Sequence, residues 1–206
     1  MYNKSKPYWF LFQKDLSIFP KNFVLADLAY LIEQFKQDGG KEKKISLSRG
    51  DFLIRSGEKE KYAYLILSGT FRIFYVSEHE EHTIRFGYSG EVITALPSFF
   101  NQRPTELFIQ AIKKAELIRI SREEFFNKVE EDPDFKKTFM QILMDLIRQQ
   151  QEREIDLLTQ SPMERFNRVM QRSPRLFQEI PAKYIASYLR MTPETLSRLR
   201  SIDLDQ

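Results

Sequence analysis

The chain has 206 residues, 42% hydrophobic and 30% charged, with a formal net charge of +3. This is the profile of a soluble globular protein of one large domain or two modest ones, and the charge alone does not announce nucleic-acid binding. It contains no cysteine, which excludes disulfides, thiolate zinc sites and cysteine-ligated iron–sulfur clusters. No apolar run approaches the roughly 18 residues of a membrane span, and the patch in MYNKSKPYWFLF is far shorter than a signal-peptide core. A cytoplasmic protein with no membrane partner is expected.

Residues 19–37 read as a helix, with Phe23, Leu28, Leu31, Ile32 and Phe35 near helical spacing and Asp38-Gly39-Gly40 as its stop. From Lys43 the period changes to two. Ile45 and Leu47 alternate with polar residues, Gly50-Asp51 breaks the run, FLIR follows, and Gly57-Glu58 breaks it again. Runs at 62–67 and 70–76 flank Ser68-Gly69, and SEHEEH is the polar tip of a hairpin returning through Thr83 to Tyr88. Residues 107–112 and 115–120 supply two closing strands. Short strands divided by such turns predict a barrel or roll. Five of the seven glycines lie between Gly50 and Gly90, at turns that call for positive φ.

Ser121, followed by Glu123 and Glu124, marks a helix start with a cap and an acidic first turn. A long helix is expected over about 134–158, with Phe135, Phe139, Ile142, Leu146 and Met140, Leu143, Ile147 forming a broad apolar stripe. Its polar second half, IRQQQEREID, is expected to be the more exposed end. Ser161-Pro162 breaks the chain, and residues 163–170 open a second domain as a helix. The stretch IPAKYIASYLRMTPETLSRLR then reads as two short helices joined by a tight turn. Ile185, Ala186 and Leu189 bury one face of the first, and Leu196 and Leu199 one face of the second. Thr192 caps the second helix, Pro193 occupies its first position and Glu194 suits the positive end of its dipole. Pro193, Glu194, Ser197 and Arg198 then point away from the buried face, as residues that read base edges do. Arg198 can pair bidentately with guanine, and Glu194 can accept from cytosine N4. The same pattern also fits an ordinary helical hairpin. From Gln160 onward eight Lys/Arg face five acids, so the positive excess sits with this stretch.

TPETLSRLR preceded by IASYL resembles the helix-turn-helix of the Crp/Fnr superfamily of bacterial transcription regulators, whose recognition helix carries Glu-x-x-x-Arg, here Glu194 and Arg198. Arg190 stands where such turns usually carry glycine. RGDFLIRSGE, YLILSG and SGEV, in that order, resemble the cyclic-nucleotide-binding β-roll of the same superfamily. The resemblance runs from about Lys43 to Arg200 and implies an α+β protein in three parts. These are an antiparallel, jelly-roll-like β-roll sensor with an N-terminal helix over 1–132, a dimerisation helix over 133–160, and an all-helical helix-turn-helix domain over 161–206. The wing that usually follows the recognition helix is absent or minimal, because only SIDLDQ remains, and its acids weaken non-specific DNA affinity. The implied DNA readers are Thr192, Pro193, Glu194, Ser197 and Arg198, and the implied seam is Phe139, Ile142, Leu143, Leu146 and Ile147. Implied partners are double-stranded DNA, a second copy of the chain, RNA polymerase for an activator, and a small-molecule effector of unstated identity.

The family's cyclic-nucleotide cassette carries a Glu for the ribose 2′-OH and, about ten residues on, Arg-Ser for the phosphate. Here Ala95 stands for the Glu, and Thr105-Glu106 for Arg-Ser. Losing two charge-assisted contacts at about 1.5–3 kcal/mol each lowers affinity roughly 10²- to 10⁴-fold, so no cyclic-AMP binding of the usual kind is expected. The candidate effector pocket comprises Ala95, Leu96, Arg103, Thr105 and Glu106, with Arg103 either a displaced phosphate ligand or a solvated loop arginine. Phe86, Tyr88, Phe99, Phe100 and Phe108 are candidates to fill the space a nucleotide occupies elsewhere. His79 and His82, among Glu78, Glu80 and Glu81, read as a solvated turn. No metal, no cofactor and no catalytic residue are therefore expected. Two other readings compete. A cupin-like metal enzyme would need more histidine ligands than the two present, and a ligand-sensing or protein-docking module would bind no DNA.

Overall fold

The computed structural model describes residues 44–204, and the helix expected over residues 19–37 lies outside them. Eight strands form two four-stranded antiparallel sheets. In the first, β1 (Lys44–Leu47), β8 (Ala115–Ser121), β3 (Tyr62–Ser68) and β6 (Val92–Ile93) lie in that order; in the second, β2 (Phe52–Ile54), β7 (Phe108–Ala111), β4 (Thr70–Ser77) and β5 (Glu80–Tyr88). The β4–β5 turn holds only Glu78 and His79, both at positive φ (51° and 69°), which is the geometry of a two-residue type I′ hairpin.

The roll core contains Ile54, Tyr64, Ile66, Phe71, Ile73, Ile93, Ile109 and Leu117. Alternate residues of β3 and β8, namely Ala63, Leu65, Ile118 and Ile120, belong to a second cluster with the helices. Both faces of these strands are thus buried, which is why YLIL reads as an unbroken apolar run. Three helices follow the strand order on this outer face: α1 (Leu96–Asn101) between β6 and β7, then α2 (Arg122–Glu131) and the long α3 (Pro133–Leu158). The expected cap is a full capping box, with the Ser121 hydroxyl accepting from the Glu124 N–H and the Glu124 carboxylate accepting from the Ser121 N–H. Asp132 caps α3 by accepting from the N–H groups of Asp134 and Phe135.

α4 (Pro162–Arg172), α5 (Pro174–Glu179), α6 (Ala182–Leu189) and α7 (Pro193–Leu204) complete the chain. α5 is not anticipated by the sequence reading, since six residues give too short a period to register. Phe166, Val169, Leu176, Ile180, Ile185, Ala186, Leu189, Leu196 and Leu199 form the core of this helical half. Phe86 and Ile112, from the roll, belong to the same cluster.

One turn demands glycine. Gly69, between β3 and β4, has φ +95°, and a Cβ there would lie 2.5 Å from the Ala115 Cβ and 2.6 Å from the Lys114 carbonyl oxygen. Gly57 has a similar φ (+89°) with open space around it. In urea titrations Gly57→Ala is expected to lose about 1 kcal/mol from backbone strain alone, and Gly69→Ala at least about 2 kcal/mol more from the added clash. Equal losses would contradict this close approach.

Candidate functional site

The C-terminal half offers one face for recognition. Leu196 is fully buried and Leu199 nearly so, which turns Thr192, Pro193, Glu194, Ser197 and Arg198 outward, and all five are exposed. The Thr192 hydroxyl accepts from the Thr195 N–H at 3.2 Å, as an N-cap does. Hydrogen bonds from Glu194's own N–H and from the Thr192 side chain hold the Glu194 carboxyl below its ordinary value, so it stands ionised at the helix start. Arg190 makes the turn in left-handed conformation (φ 53°, ψ 51°), and its N–H bonds the Ala186 and Ser187 carbonyls. The usual glycine is replaced at the expense of local strain. Part of the compensation is a contact of the Arg190 guanidinium with His82 Nδ1, at 2.8 Å.

That contact is one of several seating α6 on the edge strand β5. Ser187 Oγ donates to the Glu81 carbonyl and accepts from the Thr83 N–H, each at 3.0 Å. Buried Arg72 on β4 donates to Gln110, pairs with Glu81 at 2.6 Å, and lies over the rings of Phe74 and Tyr184. Tyr188 packs on Phe86, and the Arg153 guanidinium lies 3.8 Å above the Tyr188 ring. The C-terminal half of α3 is held as firmly. Asp156, fully buried, accepts from Arg168 at 3.1 Å and from Arg172, and Glu152 pairs with Arg172 at 3.3 Å. Within the polar end, Gln149, Gln150, Gln151 and Glu154 are exposed, whereas Arg153 and Asp156 are buried because α4 and α6 pack against them. Burial pushes the Arg153 pKa down.

The segment standing for the nucleotide cassette is fastened to its own protein. Ala95 is buried at the start of α1. Ser98 Oγ accepts from the Glu60 N–H and donates to the Arg103 carbonyl. Thr105, also buried, donates its N–H to the Glu58 carbonyl, accepts from the Gly57 N–H and caps the Leu107 N–H with its hydroxyl. Leu96 is half-buried, whereas Arg103 and Glu106 are exposed. The five proposed aromatics do not share a pocket. Phe99 and Phe100 join Phe125, Phe126 and Phe139, Phe108 stacks on Phe74, and Phe86 joins Tyr188 in the helical half. They lie on three elements, α1, β5 and β7, whose packed faces belong to different clusters. Of the proposed seam, Phe139 and Ile142 pack on the sensor cluster, Leu143 and Leu146 are half-buried, and Ile147 is exposed.

Glu60 went unnoticed in the sequence, where it is one acid among the charged residues of GEKEKY. It is 2% exposed, its Oε1 accepts from the Lys61 and Tyr62 N–H groups, and its Oε2 is buried without a hydrogen-bond partner. Ser187 and Asp156 carry no sequence signal either, since their partners are distant in the chain. Histidine and acid clusters of metal-binding size are absent among the described residues. None of their helices is long and apolar enough to cross a membrane.

Comparison with known proteins agrees with this architecture. Residues 44–132 match the cyclic nucleotide-binding domain family. The fumarate and nitrate reduction regulatory protein of Vibrio cholerae is 26% identical over 170 residues, covering 77% of this chain and 67% of that protein. Among solved structures, a cyclic nucleotide-binding domain containing protein from Listeria monocytogenes superposes with a TM-score of 0.68 at 16% identity, covering 87% of this chain and 91% of that one. FixK2 from Bradyrhizobium japonicum gives 0.67 at 19% identity, covering 77% and 82%. The fold and site thus define a cyclic-nucleotide-binding-type β-roll joined by a long helix to a small helical domain. Residues 44–132 match the cyclic nucleotide-binding domain, and the chain as a whole shares the fold of these solved structures.

Burial pushes the Glu60 carboxyl above its ordinary value, against backbone hydrogen bonds that favour ionisation. A carboxyl raised in the folded state binds its proton more tightly there than unfolded. Its ionisation therefore subtracts stability as pH climbs from the unfolded value through the folded one, and the loss is complete above both. Glu60→Gln keeps an acceptor for Lys61 and Tyr62 without the charge. Its thermal midpoint is expected to exceed wild type at pH 8 and to converge with it near pH 4; a difference independent of pH would contradict the assignment.

Proposed function

We propose that the protein is a homodimeric, sequence-specific DNA-binding regulator that does not respond to cyclic AMP. The observation that carries this reading is the outward set Thr192, Pro193, Glu194, Ser197 and Arg198 on a helix whose other face is locked by Leu196 and Leu199. Arg198 supplies a fork for guanine and Glu194 an acceptor for cytosine N4, the complementary partners of one base pair. The two recognition helices of a dimer enter successive major grooves about 34–36 Å apart. Such a protein acts in the cytoplasm, with RNA polymerase as a further partner if it activates.

Dimerisation is assigned to α3. Met140, Met144, Ile147, Ile155 and Leu158 are each 49–74% exposed and lie along one side of the helix, with Leu143 on the rim. This stripe is a more suitable seam than Phe139 and Ile142, which are already engaged with the sensor. Loss of cyclic-AMP response is supported by the chemistry at the cassette. The proposed cassette positions are Ala95, Thr105 and Glu106, a methyl, a hydroxyl committed to the backbone and a carboxylate. No cation among them meets a phosphate.

With a duplex carrying the protein's preferred site, fluorescence anisotropy is expected to show Arg198→Ala binding about 5- to 150-fold more weakly, equivalent to about 1–3 kcal/mol, with relaxed preference at one base pair. Unchanged affinity would remove α7 as the reader. Calorimetric titration with cyclic AMP is expected to give no binding heat at millimolar nucleotide, and a micromolar Kd would overturn that part of the reading.

A further inference from the structure

We infer that Arg153, Arg172 and Arg190 form the cationic side of a binding site for a phosphate group, at the junction of α3, α4 and the turn before α7. Arg153 is 6% exposed, and its Nη1 is buried without a hydrogen-bond partner. Among the described residues no carboxylate or carbonyl accepts from its guanidinium, which lies on the Tyr188 ring. An arginine stays ionised in proteins, so this side chain holds a full charge and five N–H donors that its surroundings leave unanswered. An uncompensated buried charge is among the most costly features a fold can carry, and buried charges are therefore paired or hold a ligand.

Burial is the largest influence against the Arg153 charge. Arg172 and Arg190 add repulsion from α4 and from the left-handed turn, and Tyr188 and Asp156 offset these only in part. The acids at the junction are already engaged. Asp156 Oδ1 accepts from Arg168 and Arg172 and its Oδ2 from Arg172, while Glu152 pairs with Arg148 through one oxygen and with Arg172 through the other. Asp145 balances Arg148, Glu81 is paired with Arg72, and Glu154 is exposed to solvent. Arg190 is exposed, and its Nη1 meets an imidazole nitrogen, His82 Nδ1, not a carboxylate. Arg153, Arg168, Arg172 and Arg190 thus stand against Glu152 and Asp156, four guanidiniums against two carboxylates. The excess is about the charge of a phosphate monoester, roughly −1.5 to −2 near pH 7, and more than one carboxylate neutralises. A water supplies an acceptor but no charge. Guanidinium forks also match phosphate oxygens two at a time. Stacking on Tyr188 fixes the plane of the Arg153 fork in advance, and exposed Arg190 gives the ligand a way in from solvent. A phosphate held there joins α3, α4 and the turn that leads to α7. The assignment does not depend on what α7 reads.

Thermal unfolding of the purified chain, in chloride buffer and with inorganic phosphate at equal ionic strength and neutral pH, tests the site without DNA. Wild type is expected to gain at least about 3 °C at about 20 mM phosphate, as binding to the folded state with a Kd near about 1 mM produces. Arg153→Met removes the buried charge, and Arg190→Gln changes an exposed side chain and leaves the core intact. Each is expected to lose at least about two-thirds of that gain, and Arg153→Met to melt no lower than wild type when phosphate is absent. Should Arg153→Met fail to fold, Arg190→Gln alone still reads the site. Glycerol phosphate acting at about tenfold lower concentration than inorganic phosphate would mark an esterified ligand, and equal action would mark free phosphate; either supports the site. No gain in wild type would overturn it. So would an equal gain in wild type and the folded variants, which is what general exclusion of phosphate from protein surfaces gives.

Discussion

The exposed edge of β5 is the constraint on which the relation between the two halves depends. An edge strand presents unpaired N–H and C=O groups, and leaving them open invites pairing with another chain. Here the polar groups of Glu81 and Thr83 are taken by one hydroxyl, that of Ser187 on α6. Around this point Arg72, Tyr184, Phe86, Tyr188, Arg153 and the Arg190–His82 contact close the surface. Because α6 precedes α7, the helix proposed as reader, that proposed reader is seated on the strand instead of hanging from a linker. The left-handed turn at Arg190 belongs to the same arrangement, since its side chain reaches back to the roll.

A second connection runs on the opposite side. Phe99 and Phe100 on α1 pack on Phe126 of α2 and Phe139 of α3, with Phe125 and Phe135 beneath them. Such close packing gives an interior of low compressibility, which transmits strain. Helix α1 is therefore in contact, through phenylalanines, with the helix proposed to form the dimer. Asp156 then ties that helix to α4 through Arg168 and Arg172. Roll, long helix and C-terminal helices are thus packed in one continuous series. Beside Ser98, at the start of that series, Glu60 stands buried.

Much of this was legible in the sequence because the relevant signals are local. The capping box at Ser121, the switch from period two to period 3.6 after β8, and the Thr192-Pro193-Glu194 helix start each act within a few residues. The outward face of α7 was legible for the same reason, as Leu196 and Leu199 determine which residues point outward. What escaped were pairings between residues far apart in the chain: Ser187 with β5, Asp156 with Arg168 and Arg172, Arg72 with Tyr184. Helical periodicity showed that α3 carries a broad apolar stripe, but not that the roll takes the Phe139 side and leaves the Met144 side exposed. Sequence proximity was misleading for the aromatics, whose destinations depend on sheet order and on the neighbour each element packs against.

The most direct test of the account is selection from a random duplex library by the purified protein, with and without cyclic AMP. The account predicts a near-palindromic motif with half-sites about one helical turn apart, enriched to the same degree in both conditions. Enrichment that requires cyclic AMP, or a motif without two-fold symmetry, would contradict it.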